Sequence, residues 1–574
     1  MNTENIAIVG AGICGLCTAL ALGSKGHKVT IYERDIPPPK GGAEEAFFDW
    51  KRRGAAQFRH PHAFLAVMCN LLESKYPDLV EQFWAVGARK LTFNDMLPPE
   101  LAKTYIPEPG DEQLWLLLCR RATMETLLRR YVEQAQGVTI KNNTTVIAIK
   151  TRQTEGIHAI AALQLRTSSG DIKTVNPDLI VDASGPNSKF PNWFEKLGIS
   201  IKTEDNDADI VYYTRHYRLH PSEAEPSRHG QARSAGDLGY LKYGIFPGDN
   251  GHFSTIICLP NHEVELKEAV RHNDLFQSIC MSIPGVEPWI NPAKSAPTTN
   301  TFGFGDIHAV WRHFVKDGEP LALNYFAVGD AAVRTNPLYG RGCSTGILHA
   351  HMLADLLQEI KDPRDRAVEF DRRTEDALRP IFKTSLNDDK RGIKRAKAVH
   401  EGNQLDESDS LKGWFRAAFL DAVSAASREH VHVIRGAMKT FNMTRPATAA
   451  FGLGITEAAL DFTRIVVHHR KPAQGEAPEP ARPETYIVLA PRPFPCPPGR
   501  ATVSVALKRY GCLGKIAQKV SAGERDPLEL PCRLGRQLAR CADGLPSERC
   551  VDMAERANPR EPQGKTVFLR MHHP

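Results

Sequence analysis

A chain of 574 residues, 42% of them hydrophobic, is long enough to bury a substantial core and to divide into two or three domains. Its formal charge of +6 lies entirely in residues 471–574, which hold 17 Lys and Arg against 11 Asp and Glu; the remainder is neutral, and nothing in it points to nucleic acid. No apolar stretch reaches membrane-spanning length and the first strand starts almost at once, so a cytoplasmic address is expected, with peripheral membrane contact left open.

The first predicted element is a strand, Ile6-Ala7-Ile8-Val9, running into Gly10-Ala11-Gly12-Ile13-Cys14-Gly15 and then a helix. In this pattern Gly10 allows a tight turn, Gly12 lets the backbone approach a pyrophosphate, and Gly15 lets the helix pack closely on the strand. The helix N-terminus faces the negative charge. A second strand, Val29-Thr30-Ile31-Tyr32, ends at Glu33, placed to accept hydrogen bonds from a ribose diol. Strand, glycine turn, helix, strand and acid at this spacing predict a bound ADP moiety. Cys14 and Cys17 fall on the packed helix and read as small buried residues rather than a redox pair. The twelve cysteines form no disulfide framework.

After a Pro- and Gly-rich loop over 37–42, Gln57-Phe58-Arg59-His60-Pro61-His62 precedes an amphipathic helix expected to run to about Trp84. His60 and His62 have no carboxylate or cysteine nearby, so no metal site is expected. Arg59 and His60 are instead candidates for contact with a cofactor or substrate. A second helix is expected over 122–136 after Arg120-Arg121, with short strands near 138–150 and 160–166. Residues 210–219, 239–247 and 252–259 mix β-branched and aromatic residues, and Pro247-Gly248-Asp249-Asn250-Gly251 is a strong turn signal, so an antiparallel sheet is expected.

A buried-strand pattern returns at Tyr325-Phe326-Ala327-Val328 and ends in Gly329-Asp330. Asn336-Pro337-Leu338-Tyr339-Gly340-Arg341-Gly342 and a helix over about 344–360 follow. His349 and His351, two apart on that helix, face different directions and form no joint site. Residues 363–470 read as mostly helical, with Asp388-Asp389-Lys390-Arg391 as a solvated face. Residues 471–574 hold 15 of the 40 prolines and read as a disordered tail without zinc spacing among its cysteines.

Three ordered motifs make the chain resemble the FAD-dependent monooxygenase superfamily of aromatic hydroxylases, squalene-type epoxidases and geranylgeranyl-type reductases. They are the Gly10–Gly15 turn, Asp178-Leu179-Ile180-Val181-Asp182-Ala183-Ser184-Gly185 (a degraded Asp-Gly fingerprint), and Gly329-Asp330 with Pro337, Gly340 and Gly342. The resemblance covers about residues 5–360. It implies an α/β fold: a Rossmann-like FAD-binding domain (1–208 and 321–362), an inserted antiparallel β-sheet substrate domain (209–320) and C-terminal helices (363–470), before the tail (471–574). It further implies that Asp330 holds the flavin ribityl chain and that Pro337, Gly340 and Gly342 line the isoalloxazine. Arg121, in Arg121-x-x-Met124-Glu125-x-x-Leu128, is implied to reach the flavin or nicotinamide region.

The activity implied is insertion of one atom of dioxygen into a small, mostly apolar organic substrate of secondary metabolism, by hydroxylation or epoxidation, on reduced FAD. Only one nucleotide fold is visible. NADH or NADPH is therefore expected to bind transiently, or a separate flavin reductase to deliver electrons. An isoprenoid-type reductase or saturase is the alternative. Flavin-dependent halogenases share the fold but carry Trp-x-Trp-x-Ile-Pro and a nearby lysine, whereas Trp115 stands alone in Leu114-Trp115-Leu116-Leu117.

Overall fold

The computed structural model describes residues 3–227, 233–402 and 430–444, positions 423, 426 and 427, and a short strand pair at 505–506 and 569–570. The expected tail, apart from that pair, and the expected helices beyond 444 lie outside the described residues. Strand β1 (Asn5–Val9) is buried along all but its first residue, as a parallel strand covered on both faces must be. It turns through Gly10–Gly12 into helix α1 (Ile13–Gly23), and β2 (Lys28–Tyr32) returns parallel to it with Ile8 opposite Ile31. A short helix, α2 (Ala43–Asp49), follows the proline loop.

Instead of one helix to Trp84, the chain forms α3 (Ala66–Lys75) and α4 (Pro77–Ala85). Pro77 suits the first turn of a helix, but its ring drives the preceding residue out of helical geometry. Tyr76 accordingly sits at φ −140° and ψ 56°. Helix α5 (Arg121–Gln134) leads to β3 (Val138–Lys141), parallel to β2. The expected short strands that follow are a long hairpin, Thr145–Thr154 with Ile157–Arg166. Strand β4 (Leu179–Asp182) then pairs with the other side of β1.

The antiparallel sheet comes next in the chain. Strand β5 (Ile210–Leu219) is its central member, and β6 (Lys242–Pro247) and β7 (His252–Pro260) lie in the order β6–β7–β5. The short β8 (Phe302–Phe304) pairs with the far side of β5, so that Thr214 lies between Ile256 and Phe302. Strand alternation sorts the side chains of β5. Tyr213 and Tyr217 enter an apolar core with Phe253, Ile257 and Trp289. Tyr212, Thr214 and His216 point the other way and bond to Asn336, His60 and the Arg59 carbonyl.

Strand β9 (Tyr325–Ala327) completes the parallel sheet in the order β9–β4–β1–β2–β3. Helix α6 (Gly342–Glu359) packs on α1 in the largest core, and α7 (Pro363–His400) continues for 38 residues from an Asp362 cap. The architecture is mixed α/β: a parallel dinucleotide-type sheet, antiparallel sheets inserted before its last strand, and C-terminal helices. Helix α8 (Val431–Phe441) packs back on the N-terminal half, where Arg435 meets Asp111 at 2.7 Å. Among the described residues no helix is long and apolar enough to cross a membrane.

One buried ion pair ties the antiparallel sheet to α5. The turn between β6 and β7 presents Asp249 to the start of α5, where it accepts from the Arg120 backbone N–H (2.8 Å), Arg120 Nη2 (2.7 Å) and Thr123 Oγ1 (2.9 Å). Burial alone would raise the Asp249 carboxyl, but its hydrogen bonds and the Arg120 charge prevail and hold it below the usual range. A folded pKa below the unfolded value stabilises the protein above about pH 4, and that contribution is lost as pH falls through the folded value. Asp249→Asn should therefore lower the unfolding free energy at pH 7 by about 3 kcal/mol. The gap between variant and wild type should narrow in denaturant titrations below about pH 4. Equal unfolding midpoints at pH 7 would show that the turn is anchored some other way.

Candidate functional site

The Gly10–Gly15 turn has the sterics its pattern implies. Gly10 adopts φ +103°, and a Cβ there would stand 2.7 Å from the Ala183 carbonyl oxygen. A Cβ on Gly15 would stand 2.1 Å from the Gly10 oxygen. At Gly12, by contrast, a Cβ would meet nothing within 4 Å, so the backbone there borders open space. The first turn of α1 has no side-chain cap and no acidic residue. Its N–H groups are left for an anion.

Glu33 is buried at the end of β2, where its Oε2 accepts from the Ala11 N–H (2.7 Å) and its Oε1 from the Asp35 N–H (2.8 Å). Each oxygen keeps a second lone pair for a ribose hydroxyl. Arg52, in a Lys51-Arg52-Arg53 run that reads as surface, is buried beside it and was not visible as a site residue from sequence. It meets Glu125 at 3.0 Å, Asp35 at 3.1 Å and Glu33 at 3.4 Å, and donates to the Ala11 carbonyl at 3.2 Å. Burial works against its charge, and the three carboxylates outweigh that and keep it protonated.

The distal motif reaches the same place. Gly329 adopts φ +58°, and a Cβ there would come within 2.8 Å of Cys14 Sγ on α1. The Gly329 N–H donates to His349 Nδ1 (3.0 Å), so the other ring nitrogen, Nε2, carries the proton toward Thr374 Oγ1 (3.2 Å). Burial pushes His349 down to about 4, consistent with this neutral form. Among the described residues nothing donates a hydrogen bond to the Asp330 carboxylate. Burial raises its pKa, against the lowering influence of Arg334, Arg121 and Arg312. Pro337–Tyr339 form a turn capped by Asn336, whose Oδ1 accepts from the Leu338 N–H, and Gly340 takes φ +65° before Gly342 opens α6. The degraded fingerprint also has a job: buried Asp182 accepts from Ser184, Ser188 and Tyr325 and fixes the β4 turn.

Open space at Gly12, two helix N-termini without acidic residues and an unpartnered carboxylate at Asp330 fit a cofactor carrying a diphosphate and a hydroxylated chain. The cysteines beside it are free thiols, and burial raises those of Cys14 and Cys17, the reverse of what a reactive helix-terminal thiol needs.

Two cavities flank these motifs. The first, about 320 Å³ of empty space, is lined by His60, His62, Arg120, Arg121, His216 and Phe253 among others. His60 Nδ1 lies 2.8 Å from Thr214 Oγ1, its ring packs on Phe302 and Phe304, and burial pushes it down to about 4. His62 donates through Nδ1 to the His60 carbonyl, which leaves Nε2 to accept from Arg121 Nη1 at 2.6 Å. Arg121 also binds Glu125 at 2.5 Å. His60 and Arg121 are thus brought together. Arg59 turns outward instead, donating to the carbonyls of Phe47 and Phe48.

The second is a shallow cleft, about 470 Å³ of empty space counting the solvent at its mouth, between β5, the Asn336–Gly340 turn and α7, with Ile210, Leu241, Cys258 and Leu338 among its apolar residues. Asp389, read from sequence as part of a solvated face, is buried here. That side of α7 faces the turn, and Asn336 Nδ2 (2.7 Å) and Tyr339 OH (2.9 Å) both donate to its Oδ1.

Residues 5–255 match the model of the family described as FAD dependent oxidoreductase, which classifies the protein as an FAD-dependent oxidoreductase and supports FAD as its cofactor. Protein Rv3254 of Mycobacterium tuberculosis is 23% identical over 393 residues, covering 66% of this chain and 78% of that protein. A flavoprotein/dehydrogenase from Cytophaga hutchinsonii has a TM-score of 0.53 at 13% identity, over 82% of this chain and 100% of its own. The flavin-dependent brominase Bmp2 has a TM-score of 0.52 at 13% identity, over 82% and 99% of the two chains. At such identities the two structures share a fold with this protein.

Two substitutions separate cofactor binding from folding. Asp330→Ala should weaken FAD binding by about 1–3 kcal/mol, the value of a hydrogen bond to a charged group. Gly12→Val should place a branched side chain in the open space beside the turn and lower FAD occupancy further. Both variants should keep the wild-type circular dichroism as apoproteins. Unchanged FAD affinity by fluorescence titration in either would remove that motif from the site.

Proposed function

We propose that this FAD-dependent oxidoreductase is a monooxygenase that inserts one oxygen atom, by hydroxylation or epoxidation, into a small and mostly apolar organic substrate. The observation that carries the proposal is the second cavity: apolar walls with a few convergent polar groups, beside the turn assigned to the flavin ring. In this reading the domain limits follow the sequence: 1–208 and 321–362 hold FAD, and 209–320 floor the substrate site.

FAD, when reduced, supplies the activation of dioxygen, and the protein supplies binding, orientation and exclusion of water. Gly10, Gly12, Gly15 and Glu33 hold the ADP half, with Arg52 beside Glu33 at the turn. Asp330 holds the ribityl chain, and His349 sets the Gly329-Asp330 backbone from behind. Pro337, Gly340 and Gly342 border the ring. Arg121, fixed by Glu125 and His62, places a positive charge near it, and His60 offers a neutral ring on the substrate side. The buried histidines of the first cavity stay uncharged at neutral pH, so the wall adds hydrogen bonds without adding repulsion to Arg120 and Arg121.

NADH or NADPH, bound transiently, or a partner flavin reductase would supply the electrons. Trp115, whose indole N–H donates to Asn70 and whose ring is buried, belongs to the core. It offers no support for the halogenase alternative.

Purified protein should carry FAD with an oxidised-flavin absorbance. Reduced holoenzyme given substrate and 18O2 should yield product heavier by one labelled atom, read by mass spectrometry, with substrate-dependent oxygen uptake. Substrate reduction without label would favour the reductase and saturase reading. A bromide- or chloride-dependent halogenated product would favour the halogenase reading.

A further inference from the structure

Asp389 deepens the proposed substrate site and rests on it. The residue is 8% exposed, and both bonds it receives from Asn336 and Tyr339 fall on Oδ1. Its Oδ2 is buried and has no hydrogen-bond partner among the described residues. An unpaired buried carboxylate oxygen is costly, and native proteins seldom keep one without a use.

Its surroundings point to that use. Asp389 lines the second cavity together with Ile210, Leu241, Cys258 and Leu338. Asn336, which donates to Asp389, also caps the Pro337–Tyr339 turn and accepts from the Tyr212 hydroxyl of β5. The acid therefore stands where sheet, turn and α7 meet, in a wall where Ile210, Leu241, Cys258 and Leu338 alternate with Asp209, Lys242 and Asp388.

We propose that Asp389 is the polar anchor of the substrate pocket, its Oδ2 accepting a hydrogen bond from a neutral hydroxyl or amino group on an otherwise apolar substrate. Burial raises the Asp389 carboxyl and Asp388 adds to this, against the hydrogen bonds of Asn336 and Tyr339. A donor arriving at Oδ2 stabilises the ionised form further. A carboxylate substrate is disfavoured, because Asp388 and Asp389 both line the cavity while its Lys242 is already paired with Asp237.

The test uses FAD-loaded full-length protein and three probes of similar shape: 2-naphthol, 2-methoxynaphthalene and 2-naphthoate. Binding is read by calorimetry and by perturbation of the flavin absorbance. Wild type should bind 2-naphthol about tenfold or more tighter than the methyl ether, and naphthoate more weakly still. Asp389→Asn keeps an oxygen for Asn336 and Tyr339 but replaces Oδ2 with a group that cannot accept. It should bring naphthol and ether to within about twofold while FAD affinity stays at the wild-type level. Asp389→Leu should do the same if it folds.

Equal binding of naphthol and ether by wild type would overturn the anchor and leave the pocket standing. So would a naphthol preference that survives in Asp389→Asn. If none of the probes binds, the cavity is not a substrate pocket, and the anchor falls with that assignment.

Discussion

The structure depends on one close approach, between α1 and the distal glycine motif. Cys14 lies 332 positions from Gly346, yet its thiol sits 3.6 Å from the Gly346 carbonyl, and Cβ atoms on Gly329 or Gly346 would crowd it at 2.8–3.1 Å. Only glycine at both distal positions lets α6 and the Gly-Asp turn settle against the first turn of α1. That contact brings two remote sequence motifs together, and in the proposed reading they form opposite ends of one cofactor site. Desolvation and the neighbouring Asp330 raise the Cys14 thiol, which disfavours the reactive thiolate.

Around that contact the charges are arranged by neutralisation. Arg52 answers Glu33, Asp35 and Glu125, and Arg121 answers Glu125, so each buried cation at the turn is matched by a carboxylate. The histidines follow the opposite rule. His60, His216 and His349 are buried and His62 is partly so; each is pushed below its ordinary value, and each is tied through a ring nitrogen to a backbone group or a threonine. They act as shaped, uncharged hydrogen-bonding groups, and desolvation is the main reason.

The Asn336–Gly342 turn is the joint between the two halves of the site. Asn336 accepts from Tyr212 on the antiparallel sheet, donates to Asp389 on α7 and caps its own turn, so three elements share a single side chain. A shift of α7 or of the sheet must therefore move the turn proposed to border the cofactor. The buried Asp249–Arg120 pair plays the same part on the other side, fixing the sheet to the start of α5, where Arg121 projects.

The sequence alone determined what rests on local spacing. The parallel strands, the glycine turn, Glu33, the hairpin turn at 247–251 and the Gly329-Asp330 motif follow from period, turn chemistry and the steric needs of glycine, all short-range properties of the chain. The split of α3 from α4 has an equally local cause in Pro77, whose ring overrides the continuous hydrophobic period on either side of it. Tertiary structure decided what depends on neighbours from elsewhere. Arg52 and Asp389 sit in charged runs that look solvated, and only the packing of α5 and α7 shows that these two members of their runs face inward. His349 meets Gly329, and His60 meets Thr214, across 20 and 154 positions. No local pattern encodes such pairings, because burial and partner choice are set by how distant elements close around them.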